Sequence, residues 1–167
     1  MARWLLFLDL DGTLWDHLDV SMLNPPFQKV RDNVIRDSNG VEIRLYTDMI
    51  KLLKWAKGNG AFTSTLSWNK PSHALNALEA FGVKELFDYH AIEPHPAKEE
   101  YAWKIIKTIE KQYNIKLRPC QIVYIDDRRI HLEGMAEKLG RIIFLQAWRD
   151  FSSFEEARDG ITSKLCL

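Results

Sequence analysis

Cysteine is scarce in this sequence. The two in 167 residues, Cys120 and Cys166, stand far apart with no CxxC pair and no Cys/His cluster. A zinc site is therefore unsupported and a disulfide framework unnecessary, so both are expected as separate buried or terminal thiols. Neither sign of charge is in surplus: 23 Lys+Arg against 23 Asp+Glu give zero net charge. Nothing holds a nucleic-acid backbone by counterion release, and nucleic acid is not an expected partner. Long apolar runs are missing too. A bilayer span takes ~20 apolar residues, and the apolar start Trp4 to Leu8 is too short for a signal-peptide core and runs directly into acid. A soluble, cytoplasmic protein without a membrane partner is the expectation; composition says nothing of oligomeric state. What is present, 46% hydrophobic and 28% charged residues, suits a single globular domain over 1–167 with a substantial core.

Arg3 to Leu8 is an almost continuous apolar run ending in Asp-Leu-Asp-Gly, the pattern of a central strand buried on both faces. A polar, proline-containing stretch follows from Asp16 to Lys29. Val30 to Arg36 and Val41 to Leu45 then flank Asp37-Ser38-Asn39-Gly40, which reads as a hairpin. From Tyr46 to Lys57 the apolar residues recur at helical spacing, and Gly58 and Gly60 end the segment. Strand-then-helix units follow: Ala61 to Ser67 into Ser72 to Phe81, the weaker strand Tyr89 to Glu93 into a helix between Pro96 and Asn114, and Gln121 to Ile125 into Leu132 to Leu139. Arg141 to Leu145 is a last strand, and Phe154 to Arg158 a short helix. Strands alternating with helices imply an α/β fold, a three-layer Rossmann-like sandwich whose central parallel sheet is covered on both faces, with a small hairpin flap after the first strand.

In such a sheet, ligands bind outside the carboxyl ends of the strands, so the residues directly after each apolar run carry the information. The first run ends in Asp9 and Asp11, the second in Ser67 with Trp68 and Asn69, the third is followed by Lys98, and the fourth ends in Asp126 and Asp127. Asp9 and Asp11 are two apart in extended chain and project to one side, and close carboxylates need a compensating cation. A bare Asp-Gly is equally an ordinary turn. The second acid pair weighs against that, because an oxygen-rich site built from two strands suits magnesium. Its bland alternative is that Asp126 caps the next helix while Asp127 pairs with Arg128 or Arg129. Lys98 alone reads as a surface lysine and Ser67 alone as a local cap. Beside the carboxylates, an ammonium and a hydroxyl are instead what a phosphate requires.

Phe-Leu-Asp9-Leu-Asp11-Gly12-Thr13, the strand-end Ser67, Lys98 and Tyr-Ile-Asp126-Asp127 resemble, in order, the four signature motifs of haloacid dehalogenase-like phosphatases. Asp11 to Trp15, Pro25-Pro26-Phe27 with Lys29, Val41 to Tyr46 and Asp126-Asp127-Arg128-Arg129 are similar to the magnesium-dependent phosphatase family, small enzymes without a large cap domain. The resemblance implies a magnesium-dependent phosphomonoesterase. Asp9 would be the nucleophile that forms an aspartyl-phosphate, and Asp11 the acid and base that cycles its proton. Magnesium would be held by Asp9, the Asp11 carbonyl and a fourth-motif carboxylate, Asp127 directly with Asp126 behind it. Leu10, Ser67, Trp68 and Lys98 would bind the phosphate, the turn from Leu10 to Gly12 supplying an anion nest of amides. Specificity is expected from the 16–45 flap and from Trp15, Trp68, Asn69 and Arg128, with His131 a surface or capping residue. The substrate would be a phosphorylated small molecule, such as a sugar phosphate, or an exposed phosphorylated protein side chain. A phosphoacceptor receiver domain gathers similar groups but places its acid pair first and its lysine last. An inactive metal-binding or partner-binding domain is the other alternative.

Overall fold

The computed structural model describes residues 3–167. Strand β1 (Trp4–Leu8) is buried along its whole length, and its alternation explains why the run is continuous. Trp4, Leu6 and Leu8 enter one core, Leu5 and Phe7 the other. The chain then leaves the sheet for a short 3-10 turn (Val20–Met22) and three antiparallel strands, β2 (Gln28–Arg31), β3 (Val34–Arg36) and β4 (Glu42–Arg44). It returns through α1 (Thr47–Gly58), β5 (Ala61–Trp68), α2 (Pro71–Phe81), β6 (Tyr89–Glu93), α3 (Lys98–Tyr113), β7 (Ile122–Asp126), α4 (Leu132–Leu139), β8 (Ile143–Gln146) and α5 (Phe154–Thr162).

The main sheet runs β6-β5-β1-β7-β8, and every pairing in it is parallel. Residues of α1, α2 and α5 pack on one face, through Met49, Leu53, Leu78 and Ile161. Residues of α3 and α4 pack on the other, through Tyr101, Ile106, Ile109 and Met135. With the chain running outward from β1 to each side in turn, the order reverses at β1, and the crevice belongs at the carboxyl ends of β5, β1 and β7.

The expected hairpin forms around Asp37, but a third strand joins it. Asn33, at a positive φ of 62°, turns the chain within the run from Val30 to Arg36 and lets β2 fold back on β3. Helix α2 starts at Pro71, one residue earlier than expected, because proline's missing N–H is harmless at the first helical position. Helix α5 extends four residues past Arg158, held by the Ser153 side chain accepting from the Glu156 amide and by burial of Ala157 and Ile161. One expectation fails: Cys120 and Cys166 are not separate thiols but a disulfide, their Cα atoms 5.5 Å apart. The tail after α5 lies along the turn that precedes β7, where the Cys166 amide donates to the Cys120 carbonyl. No helix among the described residues is long and apolar enough to cross a membrane.

Candidate active site

Register brings the acids together. Leu8 is paired with Thr65 on β5 and with Ile125 on β7, so Asp9, Ser67 and Asp126 emerge at the same sheet edge. The Asp9 amide continues the ladder by donating to the Ile125 carbonyl at 3.0 Å. Immediately beyond, the Leu10 carbonyl accepts from the Thr13 and Leu14 amides, and the chain turns at Gly12 with a φ of 73°. No side chain fits there, because a Cβ would lie 2.6 Å from Asp127 Oδ2. The Gly12 amide donates to the His17 carbonyl, which removes it from the expected anion nest. The Trp148 indole in turn donates to the Gly12 carbonyl.

Lys98, the first residue of α3, is fully buried and donates from Nζ to Asp9 Oδ1 at 2.9 Å and to Asp126 Oδ2 at 2.8 Å. Burial alone would lower its pKa, but the two carboxylates outweigh burial and hold it above the ordinary lysine value. Asp126 is satisfied on every side: Oδ2 also receives the Tyr124 hydroxyl, and Oδ1 the Arg128 amide at 2.9 Å. Burial would raise its pKa, yet Lys98 keeps it below the usual carboxylate range. Asp9 is pushed well above that range, first by burial and then by Asp126 and Asp127, against the pull of Lys98. Burial raises Asp127 as well. Thr13 ties the two together, its hydroxyl within 3.2 Å of both Asp9 Oδ2 and Asp127 Oδ1 while it accepts from the Asp127 amide.

Asp9, Asp126 and Asp127 each present an oxygen within 4.8 Å of the others. With all three ionised, the carboxylates would outnumber the single ammonium of Lys98 by two negative charges. Hard oxygen donors with that surplus fit a divalent cation of the magnesium type. Of the fourth-motif pair, Asp127 borders the cavity and has room for it; Asp126 is already spent on Lys98, Tyr124 and the Arg128 amide.

Asp11 stands on the other side of the turn. Its Oδ1 accepts from Trp15 Nε1 at 2.8 Å and the Val20 amide at 3.1 Å, and its Oδ2 from Asn69 Nδ2 at 2.8 Å. Burial pushes its pKa up to about 6, with Trp15 and Val20 pulling the other way. The cavity above these acids measures about 620 Å³ and is walled by Asp9, Asp11 and Asp127, by Trp68, Asn69, Lys70, Pro94 and Arg128, and by Leu18, Asp19 and Ser21 from the flap.

Of the residues singled out from sequence, Asp9, Asp11, Trp68, Asn69, Asp127 and Arg128 border this cavity. Lys98 and Asp126 lie behind its floor, and Ser67 is buried at the strand end with the Asn69 amide 3.5 Å from its hydroxyl. Trp15 is not in the wall: it is fully buried, stacked on Phe81 at 5.9 Å between centroids, and reaches the site only through Asp11. His131 is not on the surface but does cap: it holds the N-cap position of α4, its carbonyl accepting from the Met135 amide at 3.0 Å, while its side chain makes no capping bond. It is buried, and its ring meets Trp68 edge-on at 6.4 Å; burial and Lys98 push its pKa down to about 4. Lys70 and Pro94 carried no functional signal in the sequence, whereas Thr13 and Tyr124 stood there only as members of the first and fourth motifs, and Leu18, Asp19 and Ser21 only as part of the 16–45 flap, with no role of their own.

Residues 3–143 match the family model for acid phosphatase. The human magnesium-dependent phosphatase 1 is 31% identical over 143 residues, covering 84% of this chain and 77% of that protein. A crystal structure of a haloacid dehalogenase-superfamily hydrolase from Ehrlichia chaffeensis superposes with a TM-score of 0.63 at 12% identity, covering 98% of both chains. The N-terminal part of a Bacteroides fragilis protein, containing a phosphatase domain complexed with Mg, superposes at 0.56 with 16% identity over 96% of this chain, which spans only 39% of that one. These structures share the fold, while the family match and the human relative carry the identity: the chain belongs to the acid phosphatase family and is a phosphatase with the haloacid dehalogenase-like fold.

Proposed function

We propose that the chain is a magnesium-dependent phosphomonoesterase working through an aspartyl-phosphate on Asp9. The observation that carries this reading is the division of the carboxylates. Asp9 borders the cavity with Lys98 fixed behind it, while Asp11, with a raised pKa, stands across the turn where a leaving group would sit. Asp9 attacks phosphorus, the ester P–O bond breaks, and Asp11 gives its proton to the departing oxygen. Water then attacks the phosphoryl group, Asp11 takes a proton back, and the P–O bond to Asp9 breaks to return the carboxylate and free phosphate. Asp9, Asp127 and the Asp11 carbonyl would hold magnesium, which offsets charge on the phosphoryl oxygens, and Asp126 fixes Lys98 beside them. The amides from Leu10, the Ser67 hydroxyl, Trp68 and Lys98 would take the phosphate.

The flap spanning 16–45, with Asn69 and Arg128, selects the organic part. A cavity of about 620 Å³, over which the described residues place only the short flap, admits a phosphorylated small molecule or an exposed phosphorylated side chain. Phosphate release from a panel of monoesters, with magnesium and with EDTA, tests the reading. Multiple turnovers that need magnesium and vanish in Asp9→Asn support it. A single stoichiometric phosphorylation without turnover would replace it with a phosphoacceptor role, and metal binding without phosphorylation with that of an inactive binding domain.

A further inference from the structure

The Asp11 carboxyl has about four lone-pair positions, two on each oxygen. On Oδ1 both are taken, by the Trp15 indole N–H at 2.8 Å and the Val20 amide at 3.1 Å. On Oδ2 one is taken, by Asn69 Nδ2 at 2.8 Å. Among the described residues no other group donates to this carboxyl, so one position remains, on Oδ2. The donors are themselves fixed. Trp15 is fully buried against Phe81. Asn69 is 3% exposed, and its own Oδ1 accepts from the Lys70 amide at 3.0 Å. Flipping the Asn69 amide would set oxygen against oxygen at Asp11 and N–H against N–H at Lys70, so its orientation is determined by two partners. Asn69 also walls the cavity, whereas Trp15 is fully buried, so the donor on Oδ2 reaches it from the cavity wall and the indole reaches Oδ1 from the core.

We propose that Trp15 and Asn69 are positioning residues for the reaction: they grip Asp11 by both oxygens, leaving the open lone pair of Oδ2 as the point where its proton leaves and returns. The proton passes from Oδ2 to the ester oxygen as the P–O bond breaks, and comes back to Oδ2 from the attacking water. This inference rests on the proposed acid and base role of Asp11. Without the grip the carboxyl turns about its own bond, and proton delivery to a poor leaving group suffers most, since general acid catalysis contributes roughly 100-fold or more only where the leaving oxygen needs a proton.

The experiment compares single-turnover rates on p-nitrophenyl phosphate, whose leaving group departs unprotonated, and on benzyl phosphate, of similar size but leaving as an alkoxide. Trp15→Phe removes the indole N–H and keeps a ring on Phe81; Asn69→Ala removes the second donor from a different element, so the test stands if either variant folds poorly. In each, the benzyl to p-nitrophenyl rate ratio is expected to fall by ~10-fold or more. A purely structural role lowers both esters alike and leaves the ratio at the wild-type value. If Asp11→Asn collapses the ratio while both positioning variants keep it, the grip is overturned and the role of Asp11 stands. If Asp11→Asn itself keeps the ratio, Asp11 is not the acid, and the inference falls with that reading.

Discussion

Asp126 and Asp127 are neighbours in sequence with opposite electrostatic situations. Asp126 is closed in by Lys98, Tyr124 and the Arg128 amide, whereas Asp127 faces the cavity and shares Thr13 with Asp9. Neutralising each therefore has a different consequence. Asp127→Asn is expected to leave the fold intact and raise the magnesium concentration for half-maximal phosphate release by more than ~10-fold, since on the proposed reading it removes a charged donor from the ion. Asp126→Asn is expected to cost about 3–5 kcal/mol in urea unfolding, because it strips a buried ammonium of one of its two partners. A magnesium titration beside an unfolding curve for each variant checks both, and reversed results would make Asp126 the ligand. Sequence order alone did not separate this pair, because the difference lies in what surrounds each carboxylate. The gathering of Asp9, Lys98 and the two acids was legible, since strand ends meet at one edge of a parallel sheet. Trp15 was conspicuous through adjacency to a motif, yet an aromatic beside a buried strand more often belongs to the core, and there it lies.

At the scale of elements, the flap depends on one buried carboxylate. Asp37 accepts from the Asn24 amide through Oδ2 and from the Asn39 and Val41 amides through Oδ1, tying the approach to β2 to the turn between β3 and β4. Burial would push its pKa up, but these amides outweigh burial and hold it below the ordinary carboxylate value. A depressed folded-state pKa contributes stability that is complete above the unfolded value of ~3.9 and is lost as pH falls through the folded one. Amide exchange at Asn39 and Val41 should therefore be well protected at neutral pH and lose protection only below about pH 4. Asp37→Asn should speed that exchange ~10-fold or more at neutral pH, because one carbonyl oxygen replaces two acceptors and an NH2 faces a donor. Unchanged exchange in the variant would show that the flap is held elsewhere. The Asn-Gly turn announced this hairpin, but β2 stayed hidden: its residues are mostly exposed, so no apolar alternation marked it. The core strands and helices were visible because burial on two faces writes continuous runs and 3.6-residue stripes into the chain.

In the molecule as a whole, the reacting groups occupy one edge of the sheet and the disulfide the other. Cys120 lies in the turn that leads into β7, at the opposite end of that strand from Asp126 and Asp127, and Cys166 anchors the tail that follows α5. Counting cysteines could not pair them, since 46 residues of separation carry no sign that the tail after α5 returns to the turn before β7. Closing a loop of that length removes unfolded-chain entropy worth up to about 4 kcal/mol. For a chain of this size that corresponds to roughly 8–16 °C in Tm. Oxidised protein should therefore melt above the same protein in dithiothreitol, and Cys166→Ser should melt at the lower temperature under both conditions. Phosphate release at 25 °C should be equal in all of them, because the bond constrains the strand's entry and the acids sit at its exit. Equal melting temperatures would mean that the link adds nothing to the fold. A loss of turnover on reduction would mean that the position of β7 in the sheet depends on its tether, and that the two edges are not independent.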